Sequence, residues 1–151
     1  MAKEKNDNKV EIEKILSEGN TVEIQPQGYS MYPLFVPGRD IAVIKPVGED
    51  VLKRGDVVLY RRKESILVLH RIWKKKEDQF YMVGDNQKET EGPIYRTQIK
   101  GKLIGIKRKG KYFDVRNPIY RFLFAIWLLL RPLRPLIAQA VHRVKELSGS
   151  R

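Results

Sequence analysis

The chain contains no cysteine and only two histidines. Disulfides, a thiolate nucleophile and sulfur-ligated metal sites are therefore excluded. His70 and His142 stand far apart and in no chelating pattern, so neither a metal nor another cofactor is expected. Long apolar runs are missing too. The longest, Phe122 to Leu130, has nine residues, whereas a membrane-spanning helix needs about twenty. The charged opening Met1-Ala-Lys-Glu-Lys-Asn-Asp-Asn has no apolar stretch, so neither a signal peptide nor an N-terminal span is expected. Internal repeats and low-complexity tracts are absent.

Acidic residues are scarce in one region only. Residues 1–20 carry four basic and five acidic side chains, residues 21–95 twelve and eleven, and residues 96–151 fourteen and two. The whole formal net charge of +12 thus belongs to the last third, which marks it as a site for an anionic partner. Residues 117–147 read as helix interrupted at Arg131-Pro132 and Arg134-Pro135, since proline removes a donor and disfavours helix in the residue before it. The apolar run is flanked by Arg121 and Arg131 and accompanied by Tyr120 and Trp127, residue types that settle at a lipid headgroup boundary. An anionic membrane surface is therefore the expected partner of residues 117–147, ahead of nucleic acid; a helix packed on its own domain or on another protein is the plainer alternative. The implied location is peripheral to a membrane or cytoplasmic.

The rest of the chain has the makings of one compact domain. With 151 residues and 42% apolar content it can bury a core without staples. Asp7 or Asn8 caps a short helix running to about Glu18, with Val10, Ile15 and Leu16 inward and Gly19-Asn20 ending it. Strands are expected at Thr21 to Gln25, Ile41 to Lys45, Val57 to Arg61, Ile66 to Trp73, Gln79 to Val83 and Gly101 to Arg108, separated by turns rich in Pro, Gly and Asp. Short strands with frequent turns give a mainly antiparallel β fold. Three regions follow: an N-terminal helical extension (1–20), a β domain (21–116) and a basic, apolar-centred helical tail (117–151).

Three short motifs carry chemistry. Ser30 lies in Gln27-Gly28-Tyr29-Ser30-Met31-Tyr32-Pro33, His70 in the apolar run Ser65 to Trp73, and Asp85 in Val83-Gly84-Asp85-Asn86. A serine hydroxyl attacks at neutral pH only when a base takes its proton. His70 is the available base, because His142 belongs to the basic tail. Alternation puts Ile66, Val68, His70 and Ile72 on one strand face, where apolar neighbours favour the neutral imidazole that a base requires. Taken singly, each motif has a bland explanation: a hydrogen-bonded core histidine, a Gly-x-Ser turn, an aspartate bonding its own backbone. Met31, Tyr32, Pro33 and Phe35 form either an apolar lip beside the serine or the edge of the core.

The ordered set Gly28-x-Ser30-Met31-x-Pro33, Arg54-Gly55-Asp56-Val57-Val58, Leu69-His70-Arg71-Ile72, Gly84-Asp85-Asn86 and Lys100-Gly101-Lys102-Leu103-Ile104-Gly105 resembles the type I signal peptidase superfamily over about Val22 to Ile106. Histidine at position 70 is similar to the endoplasmic-reticulum and archaeal-type branch, where histidine replaces the lysine of the bacterial enzymes. The resemblance implies a signal-peptidase-like β domain in which Ser30 attacks the scissile carbonyl, His70 carries its proton to the leaving amine, and an acid orients the ring. Asp85 and Glu91 both remain open for that acid, with Glu89 nearby. Many relatives carry a hydroxyl residue two positions before the nucleophile. Gly28 stands there instead, so the oxyanion hole rests on backbone N–H groups, chiefly that of Ser30. Met31, Tyr32 and Pro33 are the implied substrate-binding residues, with the peptide added as a strand to a sheet edge.

The expected activity is a serine endopeptidase of signal-peptidase type, with a Ser30–His70 pair cleaving a leader or precursor peptide. The alternative is a catalytically silent β domain whose basic tail binds membrane, nucleic acid or a protein partner.

Overall fold

The computed structural model describes residues 11–63, 66–130 and 133. Among these, eight strands form one antiparallel sheet: β1 (Val22–Ile24), β2 (Asp40–Pro46), β3 (Val57–Arg62), β4 (Ile66–Lys76), β5 (Gln79–Val83), β6 (Glu91–Tyr95), β7 (Ile99–Arg108) and β8 (Lys111–Asp114). A helical stretch at residues 11–17 (α1) precedes the sheet and α2 (Pro118–Leu129) follows it. The lateral order is β1-β2-β7-β3-β4-β5-β6, with β8 also pairing β7. The fold is thus mainly antiparallel β, as the strand-and-turn pattern predicts, and the sheet curls into a half-barrel. Bulges at Val43/Ile44, Leu59/Tyr60, Ile72/Lys74 and Phe80/Met82 account for the curl, because each adds a residue to one strand and sharpens its twist.

Helix α1 ends where the sequence places its stop. The Asn20 amide bonds the Ile15 carbonyl and the Gly19 amide bonds that of Leu16, with Gly19 at φ +88°, so orphan carbonyls are satisfied by a left-handed glycine cap. The expected cap at Asp7 or Asn8 lies outside the described residues. Leu16 is buried beneath the sheet's Gly101, where an added Cβ would strike Ile44 and Leu16.

Two strands went unread in the sequence, and of those that outrun their expected bounds β4 does so the furthest. β6 contains Gly92-Pro93, which argues against a strand, but β6 ends the strand order and an edge tolerates a residue that cannot donate. β8 pairs β7 through a turn with Lys109 and Gly110 at positive φ. β4 runs past Trp73 to Lys76, because the two-residue turn Glu77-Asp78 lets Lys76 pair with Gln79. Its three lysines are exposed, so only the strand's first half reads as buried sequence.

The core centres on Val47, Leu52, Val58, Tyr60, Ile72, Phe80, Met82, Ile94 and Ile99. Val58, Tyr60 and Ile72 lie on the face that also holds His70, since directly paired residues share a face and Val58 is opposite His70.

The chain divides into two compact units after Asn117. In the second, α2 begins at Pro118, whose fixed φ suits a first helical turn. Ile119, Phe122, Leu123 and Ile126 are exposed at helical spacing and make one apolar stripe. No described helix is long and apolar enough to cross a membrane.

Candidate active site

Ser30 lies in the loop between β1 and β2 and is half-buried. Gly28, at φ +77°, supplies the left-handed bend that leads into it. Beyond the serine the loop is pinned at both ends. Met31, Leu34 and Phe35 are buried in the core, and the Phe35 amide bonds the Met31 carbonyl at 2.9 Å. At the far end Asp40, fully buried, accepts from the Val36 amide and from the Arg39 and Arg108 side chains. Burial alone would raise the Asp40 carboxyl, but these hydrogen bonds outweigh it and hold the group well below the usual carboxylate range.

The fate of the residues after Ser30 is therefore mixed. Met31, expected to bind substrate, is only 3% exposed and belongs to the core, because a long apolar side chain at this position seats the loop. Phe35 is likewise core. The aromatic lip is made by Tyr29 and Tyr32, both exposed, with Pro33 half-buried beside them.

The Gly84-Asp85-Asn86 motif meets the serine through main chain. The Asn86 amide donates to the Ser30 carbonyl at 2.8 Å, and a Cβ on Gly84 would lie 2.6 Å from that same oxygen. Only glycine admits so close an approach. Asp85 has Arg71 as a bidentate partner. It is fully buried and takes two hydrogen bonds of 2.7 Å from Arg71 Nε and Nη2, while Arg71 Nη1 donates to the Gly55 carbonyl at 2.7 Å. Arg71 points away from the His70 face, since neighbours along a strand alternate. The buried pair locks the motif against β4 and the Arg54-Gly55-Asp56 turn, a structural task the sequence motif alone does not reveal.

Ser30 and His70 are each tied to the end of β5, the first through Gly84 and Asn86 and the second through its neighbour Arg71, which pairs with Val83. The β4–β5 register pairs Arg71 with Val83 and Ile72 with Met82, so His70 and Gly84 are the residues just beyond the last pair on the two strands. The Ser30 carbonyl lies against Gly84. Among the described residues the Ser30 hydroxyl makes no hydrogen bond, and none joins it to His70.

His70 is 3% exposed. Burial pushes its pKa down from the usual 6.5 to about 4; the Arg62 charge adds to this, and Glu91 and Asp85 oppose it. The ring is neutral at pH 7. Its Nδ1 lies 3.2 Å from the Tyr60 hydroxyl, which lies 2.7 Å from Glu91 Oε2. Glu91 is held in turn by Arg62 Nε and Nη2. Burial would raise the Glu91 carboxyl, but the Arg62 and Tyr60 hydrogen bonds keep it below its ordinary value and ionised. Glu91 is therefore the acid on the His70 side of the sheet, connected through a phenol rather than touching the ring. Glu89 is exposed.

Tyr60, Arg62 and Arg71 were not singled out by sequence. A signal existed for Tyr60: it is the polar-tipped member of Val57-Val-Leu-Tyr60, two residues from the partner of His70 and so on its face. Among the described residues no group of three or more His, Asp or Glu side chains is arranged to hold a metal ion. Comparison with protein-family models and with curated proteins found no match to the chain.

Proposed function

We propose that the protein is a serine endopeptidase in which Ser30 is the nucleophile and His70 its base, acting on an extended leader or precursor peptide. One observation carries the reading: the main chain of Ser30 is docked on Gly84, next to Val83, whose strand partner Arg71 adjoins the buried, neutral His70. The Ser30 and Gly28 amides donate to no other described residue, which suits them to a developing oxyanion. The resemblance of the Ser30, His70 and Gly84-Asp85-Asn86 motifs to signal peptidases adds to this.

In the reaction, the Ser30 hydroxyl passes its proton to His70 Nε2 as Oγ bonds to the scissile carbonyl carbon. The negative charge on the carbonyl oxygen is met by the Ser30 amide, and His70 returns the proton to the departing amine as the C–N bond breaks. Water then repeats the sequence on the acyl-enzyme, with its proton passing through Nε2 back to Ser30 Oγ. β1 ends the strand order and leads into the Ser30 loop, so a peptide strand added to its outer edge runs toward the nucleophile. Tyr29 and Tyr32 flank that approach.

The apolar stripe of α2, within the basic last third of the chain, supports attachment to an anionic membrane surface. Vesicle co-sedimentation tests this: ending the chain after Asn117 abolishes binding to anionic vesicles, and unchanged binding rejects it.

The enzymatic reading is tested by incubating the protein with leader-peptide precursors and reading cleavage points by mass spectrometry. Ser30→Ala and His70→Ala each abolish cleavage. Retention of cleavage by both variants rejects the assignment and leaves the β domain as a binding module.

A further inference from the structure

We infer that Tyr60 and Glu91 form a relay that fixes His70 with its proton on Nδ1 and its free electron pair on Nε2, making both of them positioning residues for the base. Resting on the serine-peptidase reading for its kinetic consequence, the inference stands on hydrogen-bond bookkeeping for the ring itself.

The bookkeeping starts from Glu91. An ionised carboxylate only accepts, and Arg62 only donates, so the Arg62–Glu91 pair fixes the direction of every bond that reaches it. Tyr60 has one hydroxyl proton. At 2.7 Å from Glu91 Oε2 it is committed to that carboxylate. The phenol oxygen therefore turns a lone pair toward His70 Nδ1, 3.2 Å away, and only an N–H on Nδ1 satisfies the contact. A neutral imidazole carries one N–H. With it on Nδ1, Nε2 is left bare as the atom that can take a proton from Ser30. The opposite tautomer would set two lone pairs against each other where Tyr60 is fully buried and His70 nearly so.

The interposed phenol also settles a conflict. The groups facing the ring are Tyr60 and Arg62 from β3, Glu91 from β6, and more remotely Asp85 after β5. A carboxylate in direct contact would raise the imidazole toward its protonated form, which is no base. Held one hydroxyl away and partly neutralised by Arg62, Glu91 orients the ring while leaving it neutral. When Nε2 receives the Ser30 proton, the Nδ1–H bond to Tyr60 strengthens and the Glu91 charge stabilises the imidazolium through the hydroxyl dipole. Tyr60 keeps its own proton throughout, because burial and the Glu91 hydrogen bond push its ionisation far above neutrality. The relay moves no net proton.

The test is long-range 1H–15N correlation of the 15N-histidine-labelled full chain at pH 7, in a His142→Asn background so that one ring is observed. The parent shows Nδ1 as the protonated nitrogen and Nε2 as the bare one. Tyr60→Phe removes the acceptor, and the spectrum moves to the Nε2-protonated form or an average. Glu91→Gln still offers Tyr60 an acceptor, so the tautomer is kept while the ring's titration midpoint falls, since the lost negative charge had favoured the imidazolium. Tyr60→Phe also lowers kcat about ten-fold, the rate equivalent of one lost hydrogen bond, with KM within two-fold. Protonation at Nε2 in the parent, or an unaltered tautomer in a folded Tyr60→Phe variant, overturns the relay. If Tyr60→Phe does not fold, the parent tautomer and the Glu91→Gln titration decide. A parent protein with the expected tautomer that cleaves no precursor rejects the peptidase and leaves the relay standing.

Discussion

A histidine that refuses a proton in the folded state makes folding depend on pH, and His70 predicts how much. Its pKa falls from the usual 6.5 to about 4 because burial penalises the charged ring. Above pH 6.5 neither the folded nor the unfolded chain protonates this ring, and stability does not depend on it. As pH falls below 6.5, the unfolded chain takes up a proton that the folded chain declines until about pH 4, so stability falls toward acid. Each pH unit in that window costs up to about 1.4 kcal/mol, and the loss between pH 7.5 and pH 4.5 comes to about 2.5 kcal/mol. The carboxylates Glu91 and Asp40 have depressed values and act in the same direction, but only once pH falls below their ordinary range, so the window from 6.5 to 5 belongs to the imidazole. Urea unfolding at half-unit intervals from pH 7.5 to 4.5, with the His70→Gln variant alongside and His142→Asn in both backgrounds, measures it. The parent loses stability through the window and His70→Gln does not. Parallel profiles would refute the burial and charge balance assigned to the ring.

Three further outcomes follow from the same geometry. Arg71→Met leaves the fully buried Asp85 carboxylate without its bidentate partner and destabilises the fold by about 3–5 kcal/mol, read as a fall in urea midpoint; a change under about 1 kcal/mol contradicts the buried pair. Gly84→Ala drives a methyl against the Ser30 carbonyl, which is main chain and cannot swing aside, so cleavage is lost with the circular-dichroism spectrum retained; full activity would dissociate the glycine from the nucleophile's placement. With the neutral His70 ring as the proposed base, kcat/KM holds from pH 7 down to about pH 5 and declines toward an apparent pKa near 4, whereas a decline centred on 6.5 contradicts the depressed value that burial gives the ring.

Sequence carried much of the fold because the signals were local. Alternation and turn residues marked β2, β3, β5 and the first half of β4, and Gly19-Asn20 marked the end of α1. β6 was hidden by Pro93, whose missing donor is harmless only at an edge, and edge position follows from pairings that no local window contains. At the candidate site, Ser30 and His70 stood out in the sequence as residue types suited to chemistry. The division of labour between two carboxylates was not. Asp85 and Glu91 differ only in which side of the sheet they reach, and that is set by register: Asp85 joins Arg71, while Glu91 reaches Tyr60 across from His70. Met31 was ambiguous for a similar reason, since lip and core differ by the direction of one side chain.

The lateral order of the strands has a consequence for timing. β2, which follows the Ser30 loop, and β3, which begins the hairpin bearing His70, are not neighbours; β7 lies between them and pairs with both. A nascent polypeptide emerging from the ribosome thus exposes its hydroxyl and its imidazole long before the strip that sutures their two sub-sheets has been made. The Ser30 loop and the His70 hairpin become parts of one sheet only when residues 99–108 pair with both β2 and β3, a sequence-distant closure that completes the candidate site last.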